Sequence, residues 1–128
     1  MARFELCTET HFSAAHQLRG YPGDCARLHG HNWHVKLHVE CEQLDELGLG
    51  IDYKVMKREL KAALEPWDHY NLNDVPPFDK INPSSENVAR ELYLEMSRRL
   101  DDARLRVSRI EISETCTASV TYWPDLPR

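Results

Sequence analysis

The stretch His29-Gly30-His31-Asn32-Trp33-His34-Val35-Lys36-Leu37-His38-Val39-Glu40-Cys41 decides how this chain folds. From Trp33 onward, apolar and polar residues alternate, which is the period of a β-strand that buries one of its faces. The pattern predicts a strand over residues 33–41 with one dry face. His34 and His38 lie on its polar side, where we expect them to be exposed or interfacial.

Similar patterns on both sides of this stretch predict the rest of the fold. Gly20, Pro22, Gly23 and Gly30 mark a loop over residues 20–30. The predicted elements are strands over 3–16 and 33–41, helices over 53–64 and from a cap at Ser84 or Ser85 onward, and strands over 105–114 and 118–122. The order ββααββ predicts an α+β fold, in which two helices cover one face of a four-stranded antiparallel sheet.

Length and charge narrow the classes of protein to which the chain can belong. Its 128 residues show no compositional break, so we expect a single domain over 1–128. A formal net charge of -5 argues against a nucleic-acid partner held by a basic surface. There is no apolar run of about 20 residues and no signal peptide, so we expect a cytoplasmic protein without a membrane partner.

Cysteine usage agrees with a cytoplasmic location. None of the cysteines forms a C-x-x-C pair, and nothing marks the chain as secreted, so all are expected to be thiols. We expect three of them to be small, partly buried thiols: Cys7, Cys41 and Cys116.

His29 and His31 form the most suggestive chemical pattern. In an extended segment their rings project to the same side, and Gly30 between them leaves room for an ion near the backbone. Neutral imidazole is a favoured ligand for zinc, and His16 supplies a third ring if the first two strands pair around the loop. A polar turn with solvated histidines has the same H-x-H pattern, so the spacing alone leaves both interpretations open.

Cys25 precedes His29 in the loop, where a thiol has no core to fill. Near a metal cation and Arg27 its pKa would fall, which would make the thiolate a base or nucleophile. The alternative is that Cys25 is a fourth zinc ligand that closes the site, as in a non-catalytic zinc-binding module.

The Asp68-His69 pair and Glu114 are weaker indications of a catalytic role. In Asp68-His69 the carboxylate can fix the tautomer of the imidazole, which suits proton transfer, although the same dipeptide is common in surface loops. Glu114 closes a strand, where an acidic residue is usually solvated.

Five motifs together resemble the 6-pyruvoyltetrahydropterin synthase family. They occur in the family's order over residues 12–118, and they are Phe12-Ser13-Ala14-Ala15-His16, Cys25-Ala26-Arg27-Leu28-His29-Gly30-His31-Asn32, Trp67-Asp68-His69-Tyr70-Asn71-Leu72-Asn73, Pro83-Ser84-Ser85-Glu86-Asn87 and Glu114-Thr115-Cys116-Thr117-Ala118. Three residues separate Cys25 from His29, which is similar to the 6-carboxytetrahydropterin synthases of this family. The pyruvoyl-forming members typically have a longer insert there.

The resemblance implies a tunnelling fold, in which sheets from several subunits join into a barrel with active sites at the subunit interfaces. It implies Zn²⁺ on His16, His29 and His31, with Cys25 as the proton acceptor. The Asp68–His69 dyad would come from a neighbouring subunit of a homo-oligomer. Glu114 would anchor a pterin ring, and Ser84, where threonine is common, would contact the substrate.

The activity implied by the resemblance is a zinc-dependent carbon–carbon lyase. Its substrate would be 7,8-dihydroneopterin triphosphate, and its products 6-carboxytetrahydropterin, acetaldehyde and triphosphate, a step in queuosine (7-deazaguanine) biosynthesis. A rival within the family is a pyruvoyl-forming synthase, which eliminates triphosphate and keeps the three-carbon side chain.

Overall fold

The computed structural model describes residues 1–125, in which two α-helices cover one face of a five-stranded sheet. Its elements are β1 (Phe4–His16), β2 (His29–Cys41), α1 (Tyr53–Leu64), β3 (Tyr70–Asn71), α2 (Ser85–Leu100), β4 (Arg106–Thr115) and β5 (Ala118–Tyr122). Short 3₁₀ turns lie at Asp24–Ala26 and Leu72–Asp74.

The strands are ordered β3-β1-β2-β4-β5 in the sheet. Four strands pair antiparallel, as predicted, whereas β3 runs parallel to β1, with Tyr70 opposite Ala14. The α+β tunnelling fold is confirmed, but the predicted count of four strands is wrong by one. A strand of two residues is too short to show a hydrophobic period, so β3 left no signal in the sequence.

The predicted dry face of β2 is the centre of the core. Trp33, Val35, Leu37 and Val39 are each 0% exposed. They belong to one cluster with the buried helical residues, which are Met56, Leu60, Ala63 and Leu64 of α1 and Val88, Ala89, Leu92, Tyr93, Met96 and Leu100 of α2. The hydrophobic effect therefore sets which face of β2 turns toward the helices.

The start of β2 differs from the prediction. The strand begins at His29 rather than at Trp33, so the end of the predicted loop over 20–30 is part of the ladder. His29 and Gly30 have no apolar alternation of their own and are drawn into the strand by pairing with His16 and Ala15.

The expectation that His38 is exposed on the polar face is wrong, and its alternative, a position at an interface, stays a prediction. His38 is only 6% exposed, because it lies against its neighbours on β1 and β4. Its Nε2 is 3.9 Å from the Cys7 sulfur, and its Nδ1 is 3.6 Å from a Glu5 oxygen. Burial lowers the pKa of His38.

The cysteines are all free thiols, as predicted. The expectation of partial burial is wrong for Cys7 and Cys116, which are exposed, and Cys41 is fully buried. Cys7 and Cys116 lie on surfaces that one chain alone leaves open to solvent.

Helix capping determines where the long connection between the helices begins and ends. Asp52 caps α1 by accepting a hydrogen bond from Lys54 N–H at 2.8 Å. Ser84 caps α2 by accepting one from Asn87 N–H at 3.2 Å, which selects Ser84 from the two predicted cap positions. The connection before α2 thereby ends beside the C-terminal end of β1, where Pro83 contacts His16.

Candidate metal centre and its surroundings

Three imidazoles meet on the helix-covered face of the sheet, where β1 ends and β2 begins. His16 is directly opposite His29, and His31 is opposite Ala14, two residues further along the same face. The ring centroids are 4.5 to 5.1 Å apart, and one ligand atom from each ring lies within 4.8 Å of the others. The strand register thus produces a group that can hold a metal ion.

Backbone carbonyls fix the tautomers of two of these rings. His16 Nδ1 is 2.7 Å from the Pro83 carbonyl oxygen, and His29 Nδ1 is 2.7 Å from that of Arg27. Because a carbonyl only accepts, each Nδ1 carries the proton and donates it. The Nε2 lone pairs of His16 and His29 are therefore left free for a ligand bond.

Two of the Nε2 atoms are buried without a partner. Neither His16 Nε2 nor His31 Nε2 has a hydrogen-bond partner among the described residues, although each is shielded from solvent. An unsatisfied buried nitrogen costs free energy, and coordination of a cation removes that cost. The donor set therefore fits a metal ion.

Burial favours the neutral form of His16 and His31. It lowers the pKa of both, against the hydrogen bond from His16 to Pro83 and the attraction of Glu114 for each ring. A metal binds the neutral form of imidazole, so burial favours the ligand form of both rings. Trp33 is packed edge-on against His16 and His31, and it limits the orientations of these rings.

The composition of the group matches borderline-soft metals such as zinc. Zinc in catalytic sites has three protein ligands and one open position, whereas structural zinc is closed by four. Across residues 1–125 the structure shows one such ligand group, which contains three imidazoles and no thiol. The alternative in which Cys25 closes the site as a fourth ligand has no support in this geometry.

Cys25 lies in the exposed 3₁₀ turn between β1 and β2. The turn is anchored to the end of β1, since the Leu18 N–H donates to the Cys25 carbonyl oxygen at 2.8 Å. The structure therefore ties the Cys25 backbone to the residues that follow His16, while its thiol remains outside the metal-binding group.

Asp68 and His69 form a hydrogen-bonded pair beside β1. His69 Nδ1 is 2.9 Å from Asp68 Oδ1, which also accepts the Ser13 N–H at 3.0 Å. His69 N–H donates to the Ser13 carbonyl at 2.6 Å, and His69 has a φ of 67°, in the left-handed region that non-glycine residues rarely adopt. The imidazole is 80% exposed, and within residues 1–125 its one side-chain partner is Asp68.

The Asp68–His69 pair does not join the imidazole cluster of the same chain. His69 lines a groove at the end of β1 and the start of β2, together with Ser13, Ala15, Asn32 and His31 of the cluster. Ser13, Ala15 and Asn32 alternate with the clustered histidines, so their side chains project from the other face of the sheet. The groove reaches His31, whereas His69 is not one of the three grouped ligands.

Glu114 does approach the cluster. Its Oε2 is 3.6 Å from His31 Nε2, and its side chain is 29% exposed. The expectation that an acidic residue at a strand end is simply solvated is therefore wrong for Glu114. Sequence reasoning missed the Pro83 and Arg27 carbonyls, which leave no residue-type signal because any residue supplies a carbonyl.

Comparison with known proteins identifies the family to which the chain belongs. The chain belongs to the 6-pyruvoyl tetrahydropterin synthase family, whose sequence profile matches residues 5–125. The expected resemblance to this family is thus confirmed.

Among its curated relatives are proteins named 6-carboxy-5,6,7,8-tetrahydropterin synthase. The Synechocystis protein is 33% identical over 121 residues, which are 90% of this chain and 89% of that protein. The Bacillus subtilis protein is 31% identical over 128 residues, or 94% and 86% of the two chains. The solved Caenorhabditis elegans 6-pyruvoyl tetrahydropterin synthase superposes with a TM-score of 0.86 at 26% identity, covering 98% of each chain.

Neither of the two helices approaches the combination of length and apolarity that a bilayer crossing requires, within the part of the chain that the structure describes.

Proposed function

We propose that this chain is a zinc-dependent 6-carboxy-5,6,7,8-tetrahydropterin synthase that acts in the cytoplasm as a homo-oligomer of single-domain subunits. It converts 7,8-dihydroneopterin triphosphate and one water into 6-carboxytetrahydropterin, acetaldehyde and triphosphate, a step in queuosine (7-deazaguanine) biosynthesis. The observation that carries the proposal is the group of three converging imidazoles, in a family of pterin synthases whose curated relatives bear this name.

His16, His29 and His31 are the proposed zinc ligands. The free Nε2 lone pairs and the unsatisfied buried nitrogens support this assignment. Zinc bound there supplies Lewis acidity, which makes the C–H and O–H groups of the substrate's side chain more acidic.

Cys25 is the proposed proton acceptor. Its exposed position in the turn between two of the proposed ligands lets its thiolate reach a substrate from the loop side. The thiolate removes a proton from the substrate's side chain.

Asp68 and His69 are the proposed second proton-transfer group. The carboxylate accepts from His69 Nδ1 and so directs the Nε2 outward to give or take a proton. Because the His69 imidazole is exposed and is not part of its own chain's imidazole group, we assign the pair to the active site of a neighbouring subunit.

Glu114 is proposed to anchor the pterin ring. A carboxylate accepts paired hydrogen bonds from the guanidine-like N–H edge of a pterin. The proximity of Glu114 to His31 supports a pose in which the ring lies beside the metal ligands. Ser84, which follows the carbonyl that holds His16, is proposed as a substrate contact.

A second candidate is a 6-pyruvoyltetrahydropterin synthase, which the likeness to the Caenorhabditis elegans structure favours. The two candidates share the site and differ in whether the side chain is cleaved. Mass spectrometry of the product separates them.

The test is an incubation of the zinc-loaded and the metal-depleted protein with 7,8-dihydroneopterin triphosphate. The proposal expects 6-carboxytetrahydropterin and acetaldehyde from the zinc-loaded protein alone. A pyruvoyl product would replace it with the second candidate, and no turnover by the zinc-loaded oligomer would overturn both. A non-catalytic zinc module would additionally lose its metal in Cys25→Ala.

A further inference from the structure

Asparagine side chains hold the backbone that follows His16. The Asn73 amide binds Gln17 at two points, accepting its N–H at 2.8 Å and donating to its carbonyl at 3.0 Å. Asn82 binds Arg19 in the same way, at 2.9 and 3.0 Å. Two side-chain amides thus reproduce the paired hydrogen bonds of a neighbouring strand where no strand is present.

Leu18, which lies between Gln17 and Arg19, is hydrogen-bonded to Cys25. The Leu18 N–H points to the other side of the segment and donates to the Cys25 carbonyl at 2.8 Å. Gln17–Arg19 is therefore a bridge, with the two asparagines on one side and the Cys25 turn on the other.

The same asparagines lie next to the group that orients His16. Asn82 directly precedes Pro83, whose carbonyl accepts the His16 Nδ1 proton. The Arg19 guanidinium donates to the Phe78 and Ile81 carbonyls at 2.7 and 2.8 Å. The connection before α2 is therefore hydrogen-bonded to the bridge through these two carbonyls as well as through Asn82. Moving Asn82 therefore moves the acceptor of His16 and the support of Cys25 together.

We propose that Asn73 and Asn82 are positioning residues that hold His16 and Cys25 in a fixed relation to each other. The inference rests on the proposed function, in which His16 binds zinc and Cys25 accepts a proton. Neither asparagine is assigned contact with the substrate or the metal.

The test uses Asn73→Ala and Asn82→Ala in the full-length protein. Gln17→Ala is the matched control, because it removes an amide from the same segment, and its side chain makes none of the hydrogen bonds found in residues 1–125. Circular dichroism checks the fold. Asn73→Asp and Asn82→Asp form a second, isosteric pair, which keeps the hydrogen-bond acceptor and loses the donor. If an alanine variant does not fold, the test is made on this pair instead.

Three measurements are compared between the variants and the parent protein. In metal-free protein we expect the Leu18 amide hydrogen to exchange about tenfold faster, since one or two hydrogen bonds are lost. In competition with a chromophoric chelator, zinc affinity should fall roughly 10- to 100-fold, as for other groups that orient a metal ligand. At saturating zinc, kcat should fall while KM stays within about twofold.

Unaltered Leu18 exchange or unaltered zinc affinity in folded asparagine variants would overturn the inference, as would an equal change in Gln17→Ala. Absence of turnover by the parent protein would instead overturn the proposed function. The exchange and affinity ratios remain measurable in that case, so the two failures are distinguishable.

Discussion

His16 and His29 are directly opposed on neighbouring antiparallel strands, and their ring centroids lie 4.5 Å apart. Slipping the register by one residue would send every following side chain to the other face. The register that buries Phe12 against Trp33 also turns the imidazoles to the same side. Core packing therefore specifies the group of three imidazoles.

Loss of one imidazole should abolish stoichiometric zinc binding. We expect His16→Ala to weaken zinc affinity by more than about 100-fold, beyond the effect of removing a group that only orients a ligand. His34→Ala is the control, since His34 lies on the opposite face of β2 and pairs with Glu9. Chelator competition measures both, and stoichiometric zinc in folded His16→Ala would contradict the ligand assignment.

Removal of the Cys25 thiol should separate metal binding from turnover. We expect Cys25→Ala to retain one zinc per chain and to lose roughly 10²- to 10⁴-fold in kcat, the range for a positioned acid–base group. Elemental analysis and a product assay on the same sample give the two values. Cys116→Ala, another exposed cysteine, is the matched control. Loss of zinc in Cys25→Ala would favour the closed, four-ligand alternative.

Mixed oligomers should regain activity if one site draws on two subunits. Cys25→Ala and His69→Ala are each expected to be nearly inactive, because each removes a proton-transfer group from every site. After the two variants are unfolded together and refolded, some interfaces contain an intact Cys25 opposite an intact His69. We expect measurable turnover from this mixture and none above the single variants when they are refolded separately. Equal activity in both samples would place the two residues in the same subunit's site.

The metal-free protein should lose stability as the pH falls. Burial lowers the pKa of His16, His31 and His38 in the folded state, while unfolded histidine titrates near about 6.5. Their contribution is thus fully present above that pH and declines below it, by at most about 1.4 kcal/mol per pH unit for each group.

Urea midpoints at one fixed protein concentration measure this effect. The midpoint at about pH 5.5 should be lower than at about pH 7.5, and His38→Asn should reduce the difference by removing one of the three groups. An equal or higher midpoint at the acidic pH would contradict the burial argument.

Much of this fold can be predicted from the regular spacing of apolar residues along the sequence. The alternation in β2 and the helical spacing of Met56, Leu60 and Leu64 predict those elements because burial of one face dominates their energetics. β3 and the first residues of β2 left no such signal, since hydrogen bonding to β1 places them in the sheet.

The site was predictable to the extent that residue type carries chemistry. His29 and His31 share a side of any extended segment, whereas the partnership with His16 requires the β1–β2 register. The carbonyls of Pro83 and Arg27 had no sequence signal, and neither did the proximity of Glu114 to His31. These features depend on how the connections fold over the end of the sheet.

The opposed His16–His29 pair closes a hairpin whose connecting residues lie outside the ladder. Insertions or deletions over 20–23, before the Cys25 turn, leave the two strands in register. One added residue within either strand would instead move each following side chain to the other face of the sheet. The length of this connection can therefore vary without moving the three imidazoles relative to one another.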